Sequence, residues 1–185
     1  MAKLMKSAAA ILSLFTGLAV LFYCNTKDGL LLTLAITFGT TAYHFVMRLM
    51  VGTMVNARMH NRTDPYQKWY RPLPFEGKVY RLLRVHGWKN TMLSYDPALF
   101  STELHSLYEI AQAMCQAEVV HTIIFFLSFL PLLMIFPFGE PLVFLLTSIA
   151  AAAVDGAYVI MQRYNRPRIL RLWERQQKQG KKRNP

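Results

Sequence analysis

Glu118 and His121 stand three residues apart at the start of a long apolar run, so a helix puts them on one face. A histidine beside a carboxylate has the elements of a general base: neutral imidazole takes a proton near pH 7, and the carboxylate stabilises the resulting imidazolium. His44 and Arg48, one helical turn apart, and Asp155 lie inside other apolar runs, with Gln162, Arg163 and Arg166 just beyond the last one. An ionisable group at mid-membrane costs roughly 2.5–3.5 kcal/mol on insertion scales, so each of these positions asks for a reason. The plain reason is structural: Arg48 snorkels, Arg163 and Arg166 mark the inner end of a span, and Asp155 pairs with a cation. A lone histidine near an apolar helix end is also commonly structural, so spacing alone does not assign catalysis.

Several familiar chemistries are absent. None of His44, His60, His86, His105 and His121 has an aspartate five positions on, the spacing of phospholipid-type acyltransferases. The chain has no G-x-S-x-G elbow, Walker loop or G-x-G-x-x-G. Glu118 to His121 is its one E-x-x-H element where a carboxylate-bridged di-metal bundle needs two. No metal ligand set is assigned, although His105, Glu109 and His121 stay open as an alternative. A methyltransferase reading would need a nucleotide-cofactor pocket that the sequence does not offer.

Hydrophobic residues make up 54% of 185, and mean hydropathy is positive, which places the chain in the membrane class. Four runs approach the roughly 17–25 apolar residues that cross a hydrocarbon core of about 30 Å. They cover residues 7–23, 29–51, 119–138 and 141–161. Asn25 to Asp28 and Phe138-Gly139-Glu140-Pro141 are turn-forming breaks, so the fold class expected is all-α, with four transmembrane helices in two hairpins. A single membrane domain over residues 1–185 follows. Lys3 and Lys6 before an apolar run also fit a signal peptide, but the bulky Leu21-Phe22-Tyr23 before Cys24 argues for a retained anchor.

Nineteen of the twenty-one Lys and Arg fall in the amino terminus, in residues 56–118 and in the tail 162–185. Basic residues near span ends stay cytoplasmic, so both termini and the central segment are expected to face the interior of a multi-pass cell-membrane protein. His44, Arg48, Glu118, His121, Asp155 and the arginines after it would then share the inner leaflet. The formal charge of +11 fits anionic headgroups; no zinc spacing, aromatic RNA-binding signature or recognition helix supports nucleic acid. Cys24 and Cys115 fall on opposite faces in this topology and offer no disulfide framework.

The central segment predicts an amphipathic helix from Phe75 to His86, where Val79, Leu82, Leu83 and His86 recur among Lys78, Arg81 and Arg84. Asp96-Pro97 predicts a capped helix start leading towards the third span. The tail repeats the amphipathic theme, with Ile169, Leu172 and Trp173 on one face of an expected membrane-lying helix and Arg168, Arg171 and Arg175 around it.

The string Gln162-Arg163-Tyr164-Asn165-Arg166-Pro167-Arg168 after the final span resembles the end of the glycosyl-4,4'-diaponeurosporenoate acyltransferase family. Phe75-Glu76, Trp88-Lys89 and Ala117-Glu118-Val119-Val120-His121 resemble its F-E, W-K and A-E-x-x-H elements, in the same order. The likeness runs from Phe75 to Arg171. Ala113-Met114-Cys115-Gln116 stands where the family tends to place an acidic and basic cluster, and the F-E to W-K interval is short. The resemblance implies a small membrane acyltransferase esterifying a sugar hydroxyl of a glycosylated carotenoid, a late step of staphyloxanthin-type pigment synthesis; another glycolipid would serve the same chemistry.

On this reading His121 is the base and Glu118 orients it. Arg163, Arg166 and Arg168 hold the phosphates of an acyl thioester carrier, coenzyme A or a carrier protein, or steady the developing oxyanion, with Tyr164 and Asn165 as further donors. Gln162, Asp155, Trp88, Lys89, Glu76, His44 and Arg48 complete the expected substrate-binding set. The thioester is a co-substrate, and no cofactor is expected. The rival is a non-catalytic four-span interaction protein whose basic faces bind anionic lipid or a partner. It explains the charge equally well but gives no reason for Glu118, His121 and Asp155 to enter the membrane.

Overall fold

A computed structural model describes residues 2–90 and 97–183 of the chain. Helix α1 (Ala2–Thr26) and helix α2 (Gly29–Met59) come first, then a 3-10 turn at Lys68–Tyr70 and the short α3 (Glu76–Leu82). Two more 3-10 turns, Val85–Asn90 and Pro97–Phe100, precede α4 (Leu107–Leu127). A 3-10 stretch at Leu130–Met134 leads to α5 (Ile135–Phe138), and α6 runs from Pro141 to Arg183. The protein is all-helical, with no strand among the described residues, and four of its helical segments are long and apolar enough to cross a membrane.

The turn chemistry explains the breaks. Lys27 adopts a positive φ of 57° and its N–H closes on the Tyr23 carbonyl, ending α1; Asp28 Oδ1 then accepts the Leu30 N–H at 2.9 Å, capping α2. Gly139 takes φ 70° after α5, where a residue without Cβ is the natural choice. Glu140 follows at φ 52° and accepts the Thr33 hydroxyl at 2.8 Å, tying this break to the first turn of α2.

Within the described residues two compact units form, one from residues 2–54 and 122–156, the other from 55–121 and 157–183. The first has small side chains inside, Ala9, Ala19, Ala35, Ala42, Ala151 and Ala152, and large ones outside, including Leu14, Leu21, Phe22, Phe126, Leu142 and Leu146. That arrangement suits lipid as the solvent, because small residues let helix backbones approach while bulky apolar groups face the hydrocarbon. At Gly39 an added Cβ would meet the Thr16 methyl at 3.3 Å, which measures how closely α1 and α2 pass.

Four expectations are corrected. The stretch 119–138 is not a single helix: α4 ends at Leu127, and Pro131 opens the 3-10 stretch. Proline has no N–H to give the carbonyl four residues back, and its ring crowds that carbonyl. The carbonyl concerned belongs to Leu127, and it accepts instead from the Tyr43 hydroxyl at 2.9 Å. The helix also starts earlier than residue 119, at a reciprocal cap. The Ser106 N–H donates to Glu109 Oε2 at 2.8 Å and the Glu109 N–H to Ser106 Oγ at 3.3 Å, an S-x-x-E capping box that the sequence reading passed over. Pro97 begins only a 3-10 turn and does not lead into this helix; Asp96 lies outside the described residues.

The second unit holds the other two corrections. The amphipathic stretch from Phe75 stops as α-helix at Leu82, because Arg84 takes a positive φ of 50°. The tail is no separate surface helix but the continuation of α6, whose 43 residues measure about 65 Å, twice a hydrocarbon core. Its Leu170 is buried, its Trp173 ring lies 5.0 Å from that of Tyr108, and its Glu174 accepts the Tyr66 hydroxyl at 2.8 Å.

If the Tyr43 hydroxyl satisfies the carbonyl that Pro131 frees, Tyr43→Phe costs about 1–3 kcal/mol. Pro131→Ala restores a backbone donor and makes the Tyr43→Phe loss smaller in the double variant. Thermal unfolding in detergent checks both; equal losses with and without Pro131 would sink the pairing.

Candidate functional site

The buried centre of the second unit is ionic. Glu118 on α4 is 1% exposed, as is Arg166 on α6, and the two form an ion pair through Glu118 Oε2 and an Arg166 terminal nitrogen. Glu118 Oε1 accepts from Arg163 at 2.6 Å. Arg163 also reaches Glu76, at the start of α3, at 2.7 Å through Nε, and Glu76 in turn accepts the Tyr80 hydroxyl at 2.6 Å. A carboxylate taken out of water needs its charge matched and its lone pairs filled, and here two guanidinium groups do both.

The same arginines hold backbone. Arg166 donates to the Tyr70 carbonyl at 2.7 Å and sits 4.8 Å from the Tyr70 ring centroid; Arg163 donates to the carbonyls of Trp69 at 3.2 Å and Arg71 at 3.0 Å. The segment around Pro72 and Pro74 cannot make a regular ladder of its own, so these donors supply its carbonyls with partners. The sequence reading gave Arg163 and Arg166 to a donor's phosphates; in the structure their guanidinium groups are engaged with Glu118, Glu76 and this loop.

His121, one turn beyond Glu118, is half-buried, with its ring stacked on Tyr158 at 4.5 Å and 9° between planes. Tyr164 packs edge-on against Tyr80 at 5.2 Å, and Arg168 lies over the Tyr164 ring at 3.8 Å. Gln162 is buried and Asn165 half-buried on the same stretch of α6. Trp88 is half-buried on the 3-10 turn Val85–Asn90, while the Lys89 side chain falls outside the described residues. Among the described residues no three His, Cys, Asp or Glu gather as a metal site, so His105, Glu109 and His121 are not brought together as one; Glu109 serves the Ser106 cap.

His44, Arg48 and Asp155 belong to the first unit. Arg48 forms an ion pair with Asp155 and donates to the carbonyls of His44 at 3.1 Å and Ala151 at 3.2 Å. His44 is 4% exposed. The expected helical turn between His44 and Arg48 is present, and Asp155 is the carboxylate that holds the cation.

Sequence reasoning missed three participants. Tyr70 is buried beneath Arg166, and burial, followed by the nearby Cys115 and Glu118, pushes its hydroxyl up to about 12. Tyr66, although exposed, is raised to about 12 by partial desolvation and by its hydrogen bond to Glu174, and Tyr80 is raised by burial and its bond to Glu76. All three therefore remain hydroxyl donors at neutral pH. Tyr80 was findable, since it stands four residues after Glu76 on a helix; Tyr70, in an irregular loop, carried no periodic signal.

A family model for glycosyl-4,4'-diaponeurosporenoate acyltransferase matches residues 66–175, well over half of the chain. The match takes in Glu76, Glu118, His121, Asp155 and the arginine string, and leaves His44 and Arg48 outside it. No curated protein and no solved structure matches the chain.

Removing one partner of the central pair exposes the cost of the other. Glu118→Ala or Arg166→Ala is expected to lose about 3–5 kcal/mol, whereas the apolar double replacement Glu118→Leu with Arg166→Met loses clearly less than either. Chemical denaturation in detergent reads all three; a double variant as unstable as the sum of the singles would remove the ion pair from this account.

Proposed function

Since the chain belongs to the glycosyl-4,4'-diaponeurosporenoate acyltransferase family, we propose that it is a membrane enzyme moving a fatty acyl group from a thioester to a sugar hydroxyl of a glycosylated carotenoid or another glycolipid. The observation that carries this reading is convergence. Glu76 comes from the F-E element, Glu118 from A-E-x-x-H, and Arg163 and Arg166 from Q-R-Y-N-R-P-R, and all four meet in one buried cluster. His121 rises from the same helix face one turn beyond it.

In the proposed reaction a His121 ring nitrogen takes the proton of the acceptor hydroxyl as its oxygen attacks the thioester carbonyl. The new C–O bond forms, the C–S bond breaks, and the imidazolium returns its proton to the leaving thiolate. Stacking on Tyr158 fixes the ring plane. Glu118 acts as a positioning residue: with both oxygens engaged by arginines it anchors the helix that carries the base. Acyl-coenzyme A or an acyl carrier protein is the proposed donor. The distribution of Lys and Arg supports a cell-membrane location with both termini cytoplasmic.

The rival, a non-catalytic interaction protein, draws on the fact that Arg163 and Arg166 are engaged with protein groups, as a purely structural cluster would have them. Mass spectrometry of lipid extracts separates the two. Cells without the gene are expected to lose an acylated glycolipid, and an unchanged lipid profile would favour the rival. His121→Ala, inserted in the membrane at normal levels, is expected to lower acyl transfer roughly 10²–10⁴-fold. Full activity in that variant would remove the base.

Orientation has its own test. Exposed Cys24 is expected to react with an impermeant thiol reagent on intact cells, whereas protection until the cells are opened would reverse the topology. Cys115 is buried, so its failure to react reports enclosure rather than sidedness.

A further inference from the structure

The arginine string leaves one cation uncommitted. Arg163 and Arg166 lie three residues apart on α6, about 60° apart around the axis, and both turn to the buried carboxylates. Arg168 is about 140° round from Arg163 and takes another direction. Among the described residues its guanidinium makes no ion pair and no hydrogen bond; its contact is the face of Tyr164 at 3.8 Å. Stacking of this kind fixes the plane of the group while leaving its N–H edge available.

Arg168 borders a cavity of about 360 Å³, lined with it by Val85, His86, Gly87, Met161, Tyr164 and Asn165. The volume falls within the range of small-molecule sites, about 300–1,000 Å³. Its lining divides by chemistry. Val85, Met161 and Tyr164 are its apolar residues; Arg168, Asn165 and His86 are its polar ones; no carboxylate residue lines it. A fixed guanidinium joined by an amide and an imidazole, with no negative charge opposing, suits a phosphate oxygen. The apolar residues suit the chain to which that phosphate is esterified.

We propose that this cavity binds a phosphate ester carried on a flexible, partly apolar chain, with Arg168 as its principal contact and Asn165 and His86 beside it. Resting on the acyl-transfer reading, it assigns phosphate recognition to Arg168 alone of the three arginines. Two kinds of molecule carry such a group: a thioester donor, on its phosphopantetheine arm, and an anionic phospholipid, in its headgroup.

Direct binding to the full chain in detergent micelles tests the site without any turnover. The probes are coenzyme A, and phosphatidylglycerol against phosphatidylcholine in mixed micelles with the same detergent. Arg168→Ala is expected to weaken one probe about 10- to 100-fold, and which probe responds names the source. Arg168→Lys, which keeps charge but loses the planar fork, is expected to fall between, and Asn165→Ala to weaken the same probe several-fold. Arg171→Ala, whose Nε donates to the Pro167 carbonyl of its own helix, is expected to bind as the parent chain does. Should Arg168→Ala fail to fold, Arg168→Lys and Asn165→Ala carry the test. Parent-like binding of both probes by the folded variants would overturn the site. Acyl transfer together with Arg168-independent binding sinks this proposal alone; Arg168-dependent binding without any acyl transfer sinks the reaction and leaves the site standing.

Discussion

A carboxylate at 1% exposure cannot stay charged in a protein interior without a cation against it, and Glu118 obliges Arg166 to be buried with it. The obligation spreads. Arg166 has donors left over, and one goes to the Tyr70 carbonyl; Arg163, drawn to the other Glu118 oxygen, brings Glu76 and the carbonyls of Trp69 and Arg71 with it. Two pieces of chain with little local structural preference, the proline-rich loop and the short α3, thereby acquire one arrangement around the middle of α4 and of α6. Apolar packing alone would tolerate a slip of one helical turn; a fork of guanidinium nitrogens on two carboxylates does not. The position of His121, three residues on from Glu118, is fixed by the same requirement.

The first unit, built from apolar helices, fits a second constraint of the same kind. Hydrocarbon offers no hydrogen bonds, so each backbone group freed from a helix needs a protein partner. Pro131 frees the Leu127 carbonyl, and Tyr43 answers it. Arg48 is managed likewise, its nitrogens shared among Asp155 and the carbonyls of His44 and Ala151. Polar side chains in this unit thus serve backbone as much as one another.

What could be read beforehand followed from periodicity and composition. Four apolar runs and two turn-rich breaks marked the four long apolar segments and the turns between them, because lipid imposes both length and polarity on a span. Glu118, Arg163, Arg166 and Glu76 also stood out, through the strangeness of charge at span ends and through the motif strings. What was hidden was partnership. Nothing in the spacing says that Glu118 faces two arginines about 45 residues away, or that Glu76 joins them, since those contacts depend on tertiary packing. The helix start at Ser106 is hidden for a different reason: Asp96-Pro97 offers a better-looking local signal upstream, and a helix opened there runs past the S-x-x-E box that works. Lys89 and Asp96 lie where the structure gives no side-chain account.

Seven consecutive residues, Gln162 to Arg168, carry three arginines, and their basic character invites one role for all of them. Helical geometry argues otherwise. At about 100° per residue, positions 163 and 166 point nearly together while 168 diverges, so the string presents two faces. One is inward, saturated and holds the fold; the other is stacked on Tyr164 and edges a cavity. A guanidinium already engaged by two carboxylates has little attraction left for a phosphate, whereas one held only by an aromatic face keeps most of its own. A short motif can therefore require every one of its cations and still employ them for different ends, which spacing around the helix distinguishes and a consensus string does not.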